Sequence, residues 1–184
     1  KFITWTLPTN FGEGLVIVAA ILAGATLPIT PLQILWINMT TAVLLGLMLA
    51  FEPVEKGLMH RPPRAPAAPI LDAALIGRIV LVSVLLLLGA YGLFLNELRQ
   101  GHTLAEARTV AVNVFVVVEM CYLFNCRSLT RSFVAVGLFS NPWLWVGCGL
   151  MLGLQLLFTY ATLMNRLFAT APIGPGEWLQ IAAF

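Results

Sequence analysis

Charged residues are scarce in this chain of 184 residues, and their scarcity excludes an ordinary soluble domain. Only 10% of the residues are Asp, Glu, Lys or Arg, whereas 60% are hydrophobic and the mean hydropathy is +0.94. Soluble globular domains carry about 25% charged residues, and a soluble core of this size could not bury so much apolar surface. The composition therefore predicts an all-α, polytopic membrane helix bundle.

Cysteine and histidine are also few. Cys121, Cys126 and Cys148 lie in or beside apolar runs without metal-ligand spacing, so we interpret them as apolar filler rather than as disulfide partners. His60 and His102 fall in polar loops, where we interpret both as solvated side chains. The sequence has no Gly-rich phosphate loop, Ser/His/Asp arrangement or internal repeat, and we expect no catalysis by this chain alone. A net charge of +2 gives no indication of a nucleic-acid partner, and none is expected.

The apolar runs predict one transport domain over residues 1–184, with five full membrane-spanning helices and the start of a sixth. The predicted spans are about 3–27, 32–51, 70–95, 109–125 and 142–163, with the start of another at 178–184. A span needs roughly 20 residues, so the short last run and the abrupt apolar start predict a piece of a longer polypeptide. The apolar stretch 132–140 is too short to cross, and we expect it at the interface or covering the adjoining loop.

Basic residues are distributed unequally between the two sets of loops that alternate along the chain. One set, which includes the N-terminus, the proline-rich 52–69 loop and the 126–141 loop, holds seven of the ten Lys and Arg residues, and the other holds three. Cytoplasmic loops carry an excess of Lys and Arg. The bias therefore places the N-terminus and the 52–69 loop in the cytoplasm, and we expect the protein in the plasma (inner) membrane.

Five oxygen-bearing side chains fall inside the predicted spans, where polar groups are costly. They are Asn10 and Glu13 in the first span, Asn38 and Thr41 in the second, and Glu119 in the fourth. An ionised group at the centre of a spanning helix costs at least about 2.5 kcal/mol on insertion scales. Each pair is three residues apart, which places both members on one side of a helix.

Three residues in the first run have a predicted structural role beside this pair. Pro8 leaves the carbonyl of Thr4 without an amide donor, so we expect a kink and a free backbone oxygen near Asn10. Gly12 and Gly14 flank the glutamate and are expected to permit close helix contact.

Hard cations take carboxylate, amide, hydroxyl and backbone oxygens as ligands, so these residues predict a metal site within the bundle. The alternative is a set of interhelical hydrogen bonds in a non-transporting membrane scaffold, an interpretation that we prefer for Asn113 and Gln155. A secondary transporter or channel fragment is a third hypothesis, but the inverted repeats typical of that class are absent from the sequence.

Five ordered motifs resemble the C-terminal transport region of type II P-type ATPases, the group of the calcium pumps and the sodium/potassium pump. The motifs are TNFGEGLVIV, TPLQILWINMTTA, AFEPVEKGLMHRPPR, VEMCYLFNCRSL and SNPWLWVG. The resemblance implies that the spans correspond to the family's helices five to nine, with the last span the beginning of the tenth. It also implies an ATP-driven pump in which ATP and Mg²⁺ act through phosphorylation, nucleotide and actuator domains outside this chain. Those domains, helices one to four of the same polypeptide and the lipid bilayer are the implied partners.

The resemblance assigns the same five polar residues as ligands of the transported cation. This chain departs from the family's pattern at one position. The family's calcium pumps have an Asp directly after the sixth-helix Thr, where this chain has Ala42. With Glu13 and Glu119 as the remaining carboxylates, we expect a single cation site. Ca²⁺ ranks ahead of Na⁺, K⁺ or a proton as its occupant.

Overall fold

The computed structural model describes residues 1–54, 69–128 and 136–184, and all regular structure in these ranges is helical. Five helical segments in them are long and apolar enough to cross a membrane. The predicted all-α, polytopic bundle is therefore confirmed. Residues 55–68 of the 52–69 loop and residues 132–135 of the 132–140 stretch lie outside the described residues.

The helices are numbered here in chain order. They are α1 (Phe2–Leu22), α2 (Pro31–Leu44), α3 (Ala73–Leu86), α4 (Gly92–Arg99), α5 (Leu104–Cys126), α6 (Pro142–Tyr160), α7 (Thr162–Phe168) and α8 (Pro175–Ala183). A 3₁₀ segment, Gly46–Phe51, continues α2 to the end of the second span, and a π-helical turn, Leu87–Tyr91, joins α3 to α4 in the third.

The loop between the third and fourth spans is shorter in the structure than the sequence pattern predicts. We expected residues 96–108 to be a loop, but α4 continues to Arg99 and α5 begins at Leu104. The Thr103 side chain caps α5 and Glu106 bonds back to Thr103, which completes a capping box. Hydropathy marks only the apolar part of a helix, so it misses polar turns that capping stabilises.

Other boundaries differ for equally local reasons. The first helix ends at Leu22 rather than near residue 27, and Gly24 follows it with a positive φ of 61°. The fifth span ends at Tyr160 because Ala161 is extended. The last helix begins at Pro175, whose ring suits the first helical position.

Helix α5 occupies the centre of the bundle. Two thirds of its span (67%) is buried, compared with 28–39% of the other four spans. Large apolar side chains such as Phe11, Leu35 and Leu150 are exposed on the outer helices. Such a surface suits lipid, in which an apolar exterior has no cost.

An ion pair closes the bundle at the end where the second and fourth spans finish. Arg127 Nε donates to Glu52 Oε1 at 2.8 Å, and the two side chains are 0% and 1% exposed. Arg127 also donates to Ser140 Oγ at 2.6 Å and to the carbonyl of Gly137 at 3.1 Å. Asn141 Nδ2 donates to Glu52 Oε1 at 2.9 Å, so both charged groups are held by further hydrogen bonds.

The contact between α6 and α2 depends on a glycine. A Cβ on Gly147 would collide with the backbone oxygen of Leu44 and lie 2.6 Å from Met48 Cγ, whereas a Cβ on Gly149 would meet nothing within 4 Å in the described part of the chain. We expect Gly147→Ala to lower the stability of the full polypeptide by about 1–3 kcal/mol, the usual cost of overpacking. Gly149→Ala should leave stability unchanged or raise it slightly, since alanine is the better helix former. Thermal unfolding in detergent measures both, and equal midpoints for the two variants would contradict this packing.

Candidate cation site

Three spans bring four of the five predicted ligands together. Glu13 lies on α1, Asn38 and Thr41 lie on α2, and Glu119 lies on α5. The three helices contact one another pairwise. The polar residues that the sequence places in separate apolar runs thus meet inside one bundle.

Glu13 is only 3% exposed. Its Oε2 accepts a hydrogen bond of 2.7 Å from Asn38 Nδ2, which also donates to the carbonyl of Ile34 at 3.2 Å. Its Oε1 is buried and accepts no hydrogen bond from the described residues. One oxygen is therefore held in place while the other is left for a further partner.

Glu119 faces Glu13 from the central helix and is 1% exposed. The two carboxyl groups lie within hydrogen-bonding reach of each other, and the Thr41 hydroxyl lies beside the Glu119 carboxyl group. Thr41 Oγ1 donates to the carbonyl of Ile37 at 2.9 Å, which leaves the lone pairs of its oxygen as acceptors. Glu119 Oε2 has no hydrogen-bond partner in the described ranges.

Asn10 does not join this cluster. It is exposed on α1, although Glu13 three residues later is buried. Residues three apart on a helix are separated by about 60° around the axis, and here the edge of the buried face falls between them. Asn10 therefore lies on the exposed side of α1.

The residues predicted to shape α1 have unequal roles. A Cβ on Gly12 would lie 2.5 Å from Leu86 Cδ1 and 3.2 Å from Ser83 Cα, so Gly12 permits the close contact of α1 with α3. Gly14 was expected to do the same, but this is wrong for the described residues, because a Cβ there would meet nothing within 4 Å. Its side of the helix is exposed.

Pro8 was expected to release a backbone oxygen near Asn10. Helix α1 is continuous through Pro8, and the carbonyl of Thr4 accepts a hydrogen bond of 2.9 Å from Tyr122 Oη on α5. The expectation of a free oxygen is therefore wrong, because the carbonyl oxygen freed by the proline accepts a hydrogen bond from a phenol of the central helix. Tyr122 was missed because a tyrosine at the end of an apolar run carries no signal of its partner.

Two further polar side chains link helices. Asn113 Nδ2 donates to Thr159 Oγ1 at 3.2 Å, and Trp36 Nε1 donates to Gln155 Oε1 at 3.5 Å. They join α5 to α6 and α2 to α6, which agrees with the interhelical role we preferred for Asn113 and Gln155.

Ala42 lines an open apolar cavity of about 630 Å³. Lys1, Phe2, Gly46 and Leu47 are among the other residues around it. A larger side chain at position 42 therefore has room on this side of α2.

Comparison with known proteins covers the whole chain. A family described as "Cation transporting ATPase, C-terminus" matches residues 26–184. The chain is 58% identical over 183 residues to the probable cation-transporting ATPase F of Mycobacterium tuberculosis, a match that covers all of the chain and 20% of that protein. A cation-transporting ATPase of Synechocystis is 34% identical and a calcium-transporting ATPase of Bacillus subtilis 31% identical; these matches cover 97% and 98% of the chain and 20% of each relative. The chain thus spans about a fifth of the length of these relatives.

Proposed function

Because the chain belongs to the family of C-terminal membrane regions of P-type cation-transporting ATPases, we propose that Glu13, Asn38, Thr41 and Glu119 form part of the intramembrane site for the transported cation. Asn10 joins them when the rest of the polypeptide packs against α1. The carboxylates supply the charge, and the amides and the hydroxyl supply neutral oxygen ligands.

The observation that carries this proposal is the meeting of two buried carboxyl groups, each with one oxygen that accepts no hydrogen bond from the described part of the chain. Two negative charges within hydrogen-bonding reach of each other repel strongly in a medium of low dielectric. The pair is therefore stable only with a cation between the groups or with a proton on one of them. Either state suits a site that binds and releases ions.

Charge and ligand type favour one Ca²⁺. Two carboxylates neutralise one divalent ion, and all the candidate ligand atoms are the hard oxygens that Ca²⁺ prefers. Na⁺, K⁺ or a proton needs only one of the two charges and is the second choice. Ala42 supplies no third carboxylate, which is the reason for proposing one ion rather than two.

Energy for transport is proposed to come from ATP and Mg²⁺ bound by other parts of the same polypeptide. Phosphorylation, nucleotide and actuator domains and helices one to four lie outside this chain in the proposed protein. The proposed location is the plasma (inner) membrane. The Lys and Arg bias supports an orientation with the N-terminus and the 52–69 loop in the cytoplasm.

A survey of ions tests the proposal. ATP hydrolysis by the full polypeptide in vesicles is measured against Ca²⁺, Mn²⁺, Na⁺, K⁺ and pH. We expect saturable stimulation by Ca²⁺ at lower concentration than by the monovalent ions, and uptake of the stimulating ion. Hydrolysis that responds to none of the ions would contradict the pump and favour the scaffold, while ion flux without ATP would favour the channel or secondary transporter.

A charge added at Ala42 should tighten binding. We expect Ala42→Asp to raise the apparent Ca²⁺ affinity at least about tenfold, which is about 1.4 kcal/mol, because a third carboxylate lies one turn from Asn38. Ala42→Asn has nearly the same size without the charge and should leave the affinity close to that of the unmodified protein. Equal affinities for the two variants would show that position 42 does not face the ion.

A further inference from the structure

Three acidic side chains surround His102 at the end of the bundle opposite the Glu52–Arg127 pair. His102 Nε2 lies 3.7 Å from Glu97 Oε2 and 3.7 Å from Glu177 Oε1, and His102 Nδ1 lies 3.8 Å from Glu106 Oε2. These residues come from the end of α4, the loop after it and the starts of α5 and α8. None of them belongs to the proposed transport site.

The turn after α4 directs His102 back over Glu97. Gly101 has a φ of +87°, the His102 amide donates to the carbonyl of Glu97 at 3.1 Å, and the Gly101 amide donates to the carbonyl of Leu98 at 3.2 Å. These are the two hydrogen bonds of a Schellman motif. The residues at the positions of Glu97 and His102 usually make a hydrophobic contact in this motif. Here that contact is between a histidine and a glutamate.

A carboxylate of the next helix lies beside the other nitrogen of the imidazole. Glu106 Oε2 accepts hydrogen bonds from the Thr103 amide at 2.7 Å and from the Thr103 hydroxyl at 2.8 Å, which fixes the carboxylate next to His102 Nδ1. Histidine ligands commonly have a carboxylate beside the nitrogen that does not bind the metal. The arrangement leaves His102 Nε2 to face Glu97 and Glu177.

Glu97 is the feature that a simple salt-bridge cluster does not explain. It is 0% exposed, and neither of its carboxylate oxygens accepts a hydrogen bond from the described residues. His102 Nε2 lies 3.7 Å from Glu97 Oε2, too distant for a hydrogen bond, and equally far from Glu177 Oε1. A buried carboxylate without hydrogen bonds is costly, and a metal ion at this point would satisfy it.

We infer that Glu97, His102 and Glu177 form a second metal site, which binds a divalent transition metal of the Zn²⁺ type, with the Glu106 carboxylate beside the histidine nitrogen that does not face the metal. The potential ligand atoms of the three residues all lie within 4.8 Å of one another. In a tetrahedral zinc site with bonds of about 2.0–2.2 Å, neighbouring ligand atoms are about 3.3–3.6 Å apart. The two Nε2–carboxylate distances of 3.7 Å exceed that spacing by only a few tenths of an ångström.

The ligand set distinguishes this site from the proposed transport site. Imidazole suits Zn²⁺ and related transition metals, whereas sites for Ca²⁺ are built from oxygen alone. The site would tie α8 to the turn between α4 and α5. It therefore supplies a structural link to the last helix of the chain, independent of which ion the pump carries.

Zinc binding by the full polypeptide in detergent tests the inference. After removal of bound metals, the protein is titrated with Zn²⁺ in competition with a chromogenic chelator. We expect His102→Gln and Glu177→Gln each to lose one tightly bound equivalent of Zn²⁺ relative to the unmodified protein. His60→Gln removes the other histidine and Glu13→Gln removes a transport-site carboxylate, and both should retain that equivalent.

X-ray absorption at the zinc edge gives a test on the unmodified protein, which does not depend on the folding of a variant. We expect a shell of mixed nitrogen and oxygen ligands with one histidine. A protein without a tightly bound equivalent of Zn²⁺, or one whose binding is unchanged by His102→Gln and Glu177→Gln, would overturn the site. Because Glu13→Gln is predicted to leave this equivalent in place, failure of the zinc site and failure of the transport site give different results.

Discussion

Glu13→Gln should abolish cation-stimulated ATP hydrolysis by the full polypeptide, or weaken the apparent cation affinity at least about 100-fold. The variant keeps the size of the side chain and an oxygen that can accept the 2.7 Å hydrogen bond from Asn38. It removes one of the two negative charges in the cluster, and a factor of 100 corresponds to about 2.7 kcal/mol. Charge interactions at a few ångströms in a protein interior readily reach that size.

The control is a carboxylate outside the cluster. Asp72 is an exposed residue whose side chain caps α3, and Asp72→Asn removes its charge while asparagine can still act as the cap. We expect this variant to keep the cation dependence of the unmodified protein. If Glu13→Gln showed the same dependence as Asp72→Asn, the proposed site would be wrong, provided that both variants elute as folded protein.

Arg127→Met should destabilise the polypeptide more than any other change proposed here. It leaves the carboxylate of Glu52 buried without its ionic partner, and breaking a buried pair from one side costs about 3–5 kcal/mol. It also removes the donors that bind Ser140 and the carbonyl of Gly137. We expect a large fall in the midpoint of thermal unfolding in detergent.

Two further variants distinguish the effect of breaking the Glu52–Arg127 ion pair from the effect of removing any one charge. Glu52→Gln combined with Arg127→Met removes both charges and should recover part of the lost stability, since no buried ion is left unpaired. Arg166→Met changes an exposed arginine and should shift the midpoint little. If Arg127→Met and Arg166→Met had the same midpoint, the ion pair would not stabilise the fold.

The sequence predicts the membrane helices because hydropathy reports directly on the solvent around them. It predicts helix ends less well, since the ends depend on local hydrogen bonds such as the cap at Thr103 and the turn at Gly101. The composition of the 96–108 stretch indicated a loop, whereas capping stabilises helix over most of it.

Partners of polar groups were harder to predict than their positions. Spacing alone placed Asn10 and Glu13 on one side of α1, but the neighbouring helices decide which of them is buried. The Tyr122 bond to the carbonyl of Thr4 and the approach of Glu177 to His102 join residues distant in sequence. A single sequence contains no direct signal of such contacts. The glycine and the capping box on either side of His102 are the local features that could have drawn attention to it.

The bonds that anchor the first turns of α1 to α5 have a mechanical consequence for Glu13. Trp5 Nε1 donates to the carbonyl of Glu119 at 3.1 Å, and Tyr122 holds the carbonyl of Thr4, so α1 has a fixed point near one end. Glu13 lies eight residues further along, a lever arm of about 12 Å at 1.5 Å per residue. A tilt of α1 by about 10° around that point would move the Glu13 carboxylate by about 2 Å, enough to break its bond to Asn38.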